Sequence, residues 1–234
     1  VAVTWIAAVV LGGGVGNRFG ASMPKQLLTL GGRTLVEHCV AAFGRAPGVD
    51  EVLLVMPSGY AAEAAKLVGD QVSAVIAGGV TRSDSVRNAL AHLTARHPAG
   101  TTGVLLHDAA RPLVSQRVIA DCVAAVGLHD AAGTAVPTSD TIVVAEDGVM
   151  SHVPPRERLL RCQTPQCFRL SVIARAHELA AADPDFLPTD DCGVVLRYLP
   201  DVPVHVVPGS ERNVKITYPG DLAVAEALLR ATTD

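Results

Sequence analysis

The sequence has few aromatic residues, little charge and no paired cysteines, and each shortage removes a class of function. Aromatic residues make up 3% of the 234 positions (Trp 1, Tyr 3, Phe 4). That is too few for the stacking platforms that hold single-stranded nucleic acid, and it leaves the core to Ala, Val, Leu and Ile. Lys and Arg number 19 against 23 Asp and Glu, a formal net charge of −4, which argues against holding polyanions by bulk positive charge. Any phosphate must therefore be bound at a local site. The five cysteines (Cys39, Cys122, Cys162, Cys167, Cys192) are odd in number and scattered, with no Cys-x-x-Cys pair. No zinc-like spacing with histidine occurs, a usage that fits a reducing cytoplasm. No apolar run approaches the length that crosses a bilayer, and the opening Val-Ala-Val-Thr-Trp-Ile lacks the basic region of a signal peptide. The expectation is a cytoplasmic protein with neither membrane nor nucleic acid as a partner.

What is present is ample apolar material. Hydrophobic residues are 49% and charged residues 18% of the chain, enough to bury a full core and incompatible with disorder. The length allows one large α/β domain or two small ones. Short Val- and Ile-rich runs alternate with amphipathic stretches, as β-α-β units do. Strands are expected at Ile6 to Leu11, Glu51 to Met56, Val72 to Ala77, Gly103 to His107 and Gly133 to Val136. They are near-continuous apolar runs, as strands covered on both faces require. Helices are expected at Thr34 to Phe43, Ala61 to Val68, Ser83 to Ala95 and Ser115 to Val126. One doubly wound, mostly parallel, Rossmann-like α/β sheet with helices on both faces accounts for the first 136 residues. After Pro137 the rhythm changes, and Glu-Asp-Gly between two short β runs is a hairpin signal, read as a protruding β-arm at about 138–157. Helices at Leu170 to Ala182, near Cys192 to Leu199 and from Asp221 to Arg230, with a strand at Val204 to Val207, complete the chain. No Pro-, Gly- or Ser-rich linker divides it, so residues 1–234 are read as one domain plus the arm.

The loop after the first strand, Leu11-Gly-Gly-Gly-Val-Gly-Asn-Arg-Phe-Gly-Ala-Ser-Met-Pro-Lys-Gln, lies where ligands bind in open α/β sheets, at the carboxyl end of a strand. Its glycines let backbone N–H groups approach phosphate oxygens, and Arg18 and Lys25 add two cations. A P-loop is excluded because no Gly-Lys pair occurs in the chain. The dinucleotide fingerprint fails in both registers, with Asn17 or Phe19 where its third glycine belongs. Glu37 stands about where a ribose-binding acid is expected, which keeps an NAD-dependent oxidoreductase as a remote alternative.

Four further segments, Gly78-Gly-Val-Thr-Arg-Ser-Asp-Ser85, His107-Asp-Ala-Ala-Arg-Pro112, Gln163-Thr-Pro-Gln166 and Asn213-Val-Lys-Ile-Thr217, combine with that loop into a pattern from Leu11 to Asp221. The pattern resembles the cytidylyltransferases that activate polyol phosphates with CTP. In such a reaction a substrate phosphate attacks the α-phosphorus of CTP, so the site must offset anion repulsion and align the reactants rather than supply a nucleophile. The resemblance implies that Gly12, Gly13, Gly14 and Gly16 wrap the triphosphate, and that Arg18 and Lys25 neutralise charge as pyrophosphate leaves. It implies that Gly78, Gly79, Arg82 and Ser85 face cytosine and ribose, that Asp108 lies near the α-phosphate and the metal, and that Ala109 lies near the ribose. Asp108 and Arg111 would contact the acceptor together with Thr141 from a partner subunit's arm. Arg156, Thr164 and Lys215 match further positions for the acceptor phosphate and the α-phosphate, Lys215 joining Arg18 and Lys25 as the catalytic cations.

Mg²⁺ is implied because a triphosphate is normally handled as its metal complex, with few protein ligands. An exposed apolar arm of about 20 residues is marginal alone, so a homodimer with crossed arms is expected. The acceptor is divided between two readings. His-Asp-Ala-Ala-Arg-Pro is the form usual in enzymes acting on 2-C-methyl-D-erythritol 4-phosphate, placed first as the more widespread activity, in the non-mevalonate isoprenoid pathway. The Gly12-Gly-Gly start, Ser22-Met-Pro-Lys-Gln and Thr189-Asp-x-Cys192 look more like enzymes acting on D-ribitol 5-phosphate, the teichoic-acid type. His107 is read as a residue that orders its turn, and Thr189-Asp190-Asp191 as a helix N-cap.

Overall fold

Every residue of β1 (Trp5–Leu11) after the first is buried. Ile6, Ala8 and Val10 face one apolar layer, while Ala7, Val9 and Leu11 face the other, the two-sided burial that a parallel strand between helices needs. The computed structural model describes residues 1–13, 23–183, 185–186 and 188–231. After β1 come the two-residue pair β2 (Thr29–Leu30) and β3 (Arg33–Thr34), then α1 (Leu35–Gly44), β4 (Glu51–Met56), α2 (Ala61–Val68), β5 (Ala74–Ala77), α3 (Arg82–Thr94) and β6 (Thr102–Asp108). The second half contains α4 (Gln116–Leu128), β7 (Ala131–Pro137), β8 (Val144–Glu146), β9 (Val149–His152), β10 (Leu160–Arg169), α5 (Leu170–Ala181), α6 (Asp191–Tyr198), β11 (His205–Pro208) and α7 (Pro219–Arg230).

Among the described residues the central sheet has seven strands in the order β11-β7-β10-β6-β1-β4-β5. All run parallel except β10, which is antiparallel to both β6 and β7. Helices α1, α2 and α4 cover one face; α3, α5 and α6 cover the other. From β1 the chain steps outward to β4 and β5 and then returns to β6 on the opposite side of β1. The switch point of the fold therefore lies between the carboxyl ends of β1 and β6, the place where such sheets bind ligands.

The expected strands and helices of the first half are all present, shifted by no more than two residues at an end. The sheet does not close within those residues, however. β10, which the sequence left unassigned, inserts between β6 and β7 from the second half. Its Arg161, Gln163, Gln166 and Pro165 break the apolar pattern by which a central strand is recognised. The hairpin of the arm forms as its Asp-Gly signal required: Asp147 (φ 50°) and Gly148 (φ 80°) both adopt the left-handed backbone of a primed turn. Glu37, the candidate ribose ligand, instead closes the capping box of α1, its carboxylate accepting from Thr34 N and Thr34 Oγ1 at 2.7 Å each. The cap therefore absorbs the residue on which the oxidoreductase alternative rested.

One buried side chain ties β6 to the segments that surround the switch point. His107 is fully buried, with its Nε2 3.0 Å from Arg111 O and its Nδ1 3.1 Å from Thr164 Oγ1. A carbonyl only accepts, so Nε2 carries the proton and Nδ1 accepts from the threonine hydroxyl, which in turn accepts from Asp108 N at 3.1 Å. Burial, with Arg111 nearby, pushes the imidazole down to about 4. The unfolded chain takes up this proton near pH 6.5 and the folded one only near 4, so the unfolded state holds more protons in between and stability falls as pH falls through that window. About 3 kcal/mol rides on this group. Urea unfolding of the wild type is expected to show that loss between pH 6.5 and 4. His107→Gln, which keeps a donor for Arg111 O but does not titrate, should start less stable at pH 7 and vary less with pH.

Candidate active site

Asp108 is the last residue of β6, and its carboxylate is only 11% exposed. A buried carboxylate is costly unless it is paired, and two cations from distant parts of the chain pair it. Arg82 Nε donates to Oδ1 at 3.1 Å and Lys215 Nζ to Oδ2 at 2.7 Å. Burial alone would raise the Asp108 pKa, but the guanidinium and the ammonium outweigh it and hold the carboxyl far below the usual carboxylate range. Arg82 also donates through Nη2 to Asp191 Oδ2 at 2.8 Å. Burial opposes its charge, yet Asp191 and Asp108 together raise its pKa.

This cluster forms a wall shared by two cavities. One, of about 110 Å³, is lined by Leu11, Gly13, Lys25, Ser85 and Ala110 as well as Arg82, Asp108 and Lys215. The other, of about 360 Å³, has the same three residues on one side and Arg111, Cys162, Thr164 and Asp190 among those on the other. On the first side β4 and the turn after β5 crowd the start of the glycine loop. Gly12 N donates to Val55 O at 2.8 Å and Gly78 N to Met56 O at 2.7 Å. A Cβ on Gly78 would stand 2.8 Å from Ser85 Oγ and 3.2 Å from Gly13 Cα, so both positions require glycine by close approach rather than by backbone angle. Ser85 is fixed between Thr81 O and Gly79 N, both at 3.1 Å. The capping box of Thr81 and Asp84 opens α3 beside it, Thr81 N to Asp84 Oδ2 being 2.8 Å. Lys25 is carried by the short turn after the glycine loop, and its Nζ donates to Ile216 O at 2.9 Å.

On the second side Arg111 is held by carbonyl oxygens, Nη1 to Asn213 O at 2.7 Å and Nη2 to Cys162 O at 3.3 Å. Burial lowers its pKa, an effect that Asp108 opposes. Among the described residues it forms no ion pair, so its charge is not cancelled by a carboxylate. The loop that carries it is pinned from below by Cys39, whose thiol lies 3.6 Å from Ala109 O and 3.7 Å from Arg111 O.

Of the residues expected at the site, the structure brings together Gly12, Gly13, Lys25, Gly78, Gly79, Arg82, Ser85, Asp108, Arg111, Thr164 and Lys215. Ala109 is buried with its N–H on Leu11 O at 3.0 Å, and its neighbour Ala110 lines the cavity instead. Gly14, Gly16 and Arg18 lie outside the described residues. Thr141 and Arg156 are exposed on the arm and line neither cavity of their own chain; Arg156 Nη1 donates to Ser139 O at 3.1 Å. Among the described residues no group of three or more His, Cys, Asp or Glu side chains is placed to hold a metal.

The sequence reading missed three contributors. Gln26, buried in the first cavity wall, donates to Gly12 O at 2.6 Å and steadies the loop. Gln166 accepts from Asp191 N and Cys192 N at 3.0 Å each and donates to Asp190 Oδ2 at 2.8 Å. The two adjacent aspartates divide their roles. Asp190 is the N-cap of α6, accepting from Gly193 N at 2.9 Å, as expected. Asp191 is buried and reaches Arg82 and His177 instead. A cap needs only one acid, and the second was the available signal.

The model of the IspD family, described as 2-C-methyl-D-erythritol 4-phosphate cytidylyltransferase, matches residues 6–231. The chain is 53% identical to the 2-C-methyl-D-erythritol 4-phosphate cytidylyltransferase of Thermobifida fusca over 96% of this chain and 93% of that one. A crystal structure of 4-diphosphocytidyl-2C-methyl-D-erythritol synthase from Anaerococcus prevotii superposes with a TM-score of 0.84 at 27% identity, over 97% of this chain and 96% of that one. A bifunctional ribulose 5-phosphate reductase/CDP-ribitol pyrophosphorylase of Haemophilus influenzae is 34% identical over 95% of this chain and 48% of its own length. With the motifs in order along one cleft and the match nearly end to end, this chain belongs to the 2-C-methyl-D-erythritol 4-phosphate cytidylyltransferase family.

Proposed function

We propose that the protein transfers the cytidylyl group of CTP to 2-C-methyl-D-erythritol 4-phosphate and releases pyrophosphate. The observation that carries this reading is the wall of Arg82, Asp108 and Lys215 between two cavities. A glycine-lined pocket with Lys25 suits the triphosphate, and a pocket with Arg111, its charge not cancelled by a carboxylate, suits an acceptor that is itself a phosphate. An oxygen of the acceptor phosphate bonds to the α-phosphorus as the bond to pyrophosphate breaks. The cleft contributes by holding both anions in line and offsetting their repulsion. Lys215 and Lys25 serve the charge at the α-phosphate and on the leaving pyrophosphate, with Arg18 as a third cation from the loop. Arg111 and Thr164 serve the acceptor.

A divalent cation, Mg²⁺ by the usual partner of triphosphates, fits this site in one way. The residues build no cage of carboxylates, and both oxygens of Asp108 already accept from cations. The ion would be held mainly through phosphate oxygens, with Asp108 as its protein contact. When bound it supplies charge neutralisation at the triphosphate.

The arm supports a homodimer. Val149 and Met150 are 69% and 73% exposed, on a two-stranded hairpin whose own pairing is marginal. Thr141 and Arg156 on the arm would reach the cleft of the other protomer, which accounts for their distance from their own. No described helix is long and apolar enough to cross a membrane.

Purified protein with CTP and Mg²⁺ should release pyrophosphate with 2-C-methyl-D-erythritol 4-phosphate and much less with D-ribitol 5-phosphate. Preference for the ribitol substrate would move the protein to the other acceptor, and no turnover with either would reject the reading. Lys25→Ala and Lys215→Ala should each lower kcat by about 10²-fold or more while the far-ultraviolet circular dichroism is unchanged. The crossed arms are tested by mixing two crippled proteins, Lys215→Ala and Arg156→Ala. Subunit exchange is expected to restore activity to about a quarter of wild type, since half the dimers are mixed and each has one intact site. No recovery after verified exchange would place the arm in its own chain's site.

A further inference from the structure

Behind the cleft, Arg82 is tied to a residue that nothing in the reaction calls for. His177, on α5, is 2% exposed, and its Nε2 lies 3.1 Å from Asp191 Oδ1. The other oxygen of Asp191 accepts from Arg82 Nη2 at 2.8 Å. Since Asp191 is held ionised by Arg82 and by the His177 hydrogen bond against the cost of its burial, its oxygens only accept. The His177 proton therefore sits on Nε2. The backbone of Asp191 is fixed as well, by Gln166 Oε1 at 3.0 Å. A continuous line of alternating donors and carboxylates thus runs from His177 through Asp191, Arg82 and Asp108 to Lys215.

We propose that His177 and Asp191 are positioning residues for the nucleotide side of the cleft: His177 orients the Asp191 carboxylate, which holds the Arg82 guanidinium in the plane that presents its remaining donors to CTP. The inference rests on the reading of the first cavity as the nucleotide site. A guanidinium carries five N–H donors in a rigid fork, and the two carboxylates engage only Nε and one hydrogen of Nη2. Where the plane points is set by having two carboxylate partners rather than one. With Asp108 alone, the fork could swing about its single contact.

Orientation and plain charge give opposite signs, and this makes the proposal testable. If Asp191 acted only as a negative charge beneath an anion site, removing that charge would tighten CTP. If it orients Arg82, Asp191→Asn weakens CTP although the cleft becomes more positive. The expected result is a rise of about tenfold or more in KM for CTP. KM for the acceptor and kcat should each change less than about threefold. His177→Leu, which removes the donor, should shift the same constant in the same direction by a smaller factor. His177→Gln, whose Nε2 can reach the position of the imidazole Nε2, should restore it toward wild type, and a merely space-filling role would not distinguish these two. Thermal midpoints are measured alongside, and should His177→Leu fail to fold, Asp191→Asn and His177→Gln carry the comparison. Unchanged or lower KM for CTP in Asp191→Asn, or equal effects of Leu and Gln at His177, would overturn the proposal. Wild-type protein that neither binds nor turns over CTP would instead reject the nucleotide reading itself.

Discussion

The shared carboxylate of Asp108 is the constraint on which the cleft depends. It sits at the end of a buried central strand, where an unpaired charge is costly, and the chain supplies one cation from α3 and another from the segment before α7, 107 residues away. Satisfying that one group closes the gap between the two halves of the molecule at the switch point of the sheet. The electrostatics then propagate outward. Arg82, drawn to Asp108, needs Asp191 as well; the buried carboxylate of Asp191 accepts from His177, and its backbone N–H donates to Gln166 Oε1.

Charge balance in this cluster explains how a chain of net charge −4 can take two polyanions. The four groups Arg82, Asp108, Asp191 and Lys215 cancel among themselves, so the surplus at the cleft resides elsewhere. Arg111 provides part of it, because its partners are the carbonyls of Asn213 and Cys162. Two of the three lysines in the whole sequence, Lys25 and Lys215, face the same cavity. The cations at the cleft are gathered by placement rather than by abundance.

Polar residues on a central strand mark where structure and chemistry meet. Gln163, Thr164 and Gln166 of β10 are all buried, and each serves as a hydrogen-bond post rather than as packing. Gln163 donates to Ser210 O at 2.8 Å, Thr164 joins His107 to Asp108, and Gln166 holds the start of α6. Those duties made the strand illegible in the sequence, where runs of apolar residues were the signal. The strands that lie between two helical layers were read correctly: β1 and β4 are apolar along their buried lengths, and on β6 the polar duties fall to His107 and Asp108 at its carboxyl end, after an apolar run. Long-range pairing supplied what β10 lacked in pattern.

Much of the site was legible in local chemistry: the glycines that permit close approach, the helix cap at Thr189-Asp190-Asp191, the Asp-Gly turn of the arm, and the cations near them. Sequence alone determined these because each depends on a few neighbouring residues and on backbone geometry. Tertiary structure decided which of the acids does what. Glu37 and Asp84 close helix caps, Asp190 caps α6, Asp191 beside it is buried under Arg82, and Asp108 joins two cavities. Composition and spacing cannot separate Asp190 from Asp191, because one residue along a helix start turns a side chain from the solvent edge into the interior. Only the packing of α6 against the sheet fixes which of the two meets the guanidinium.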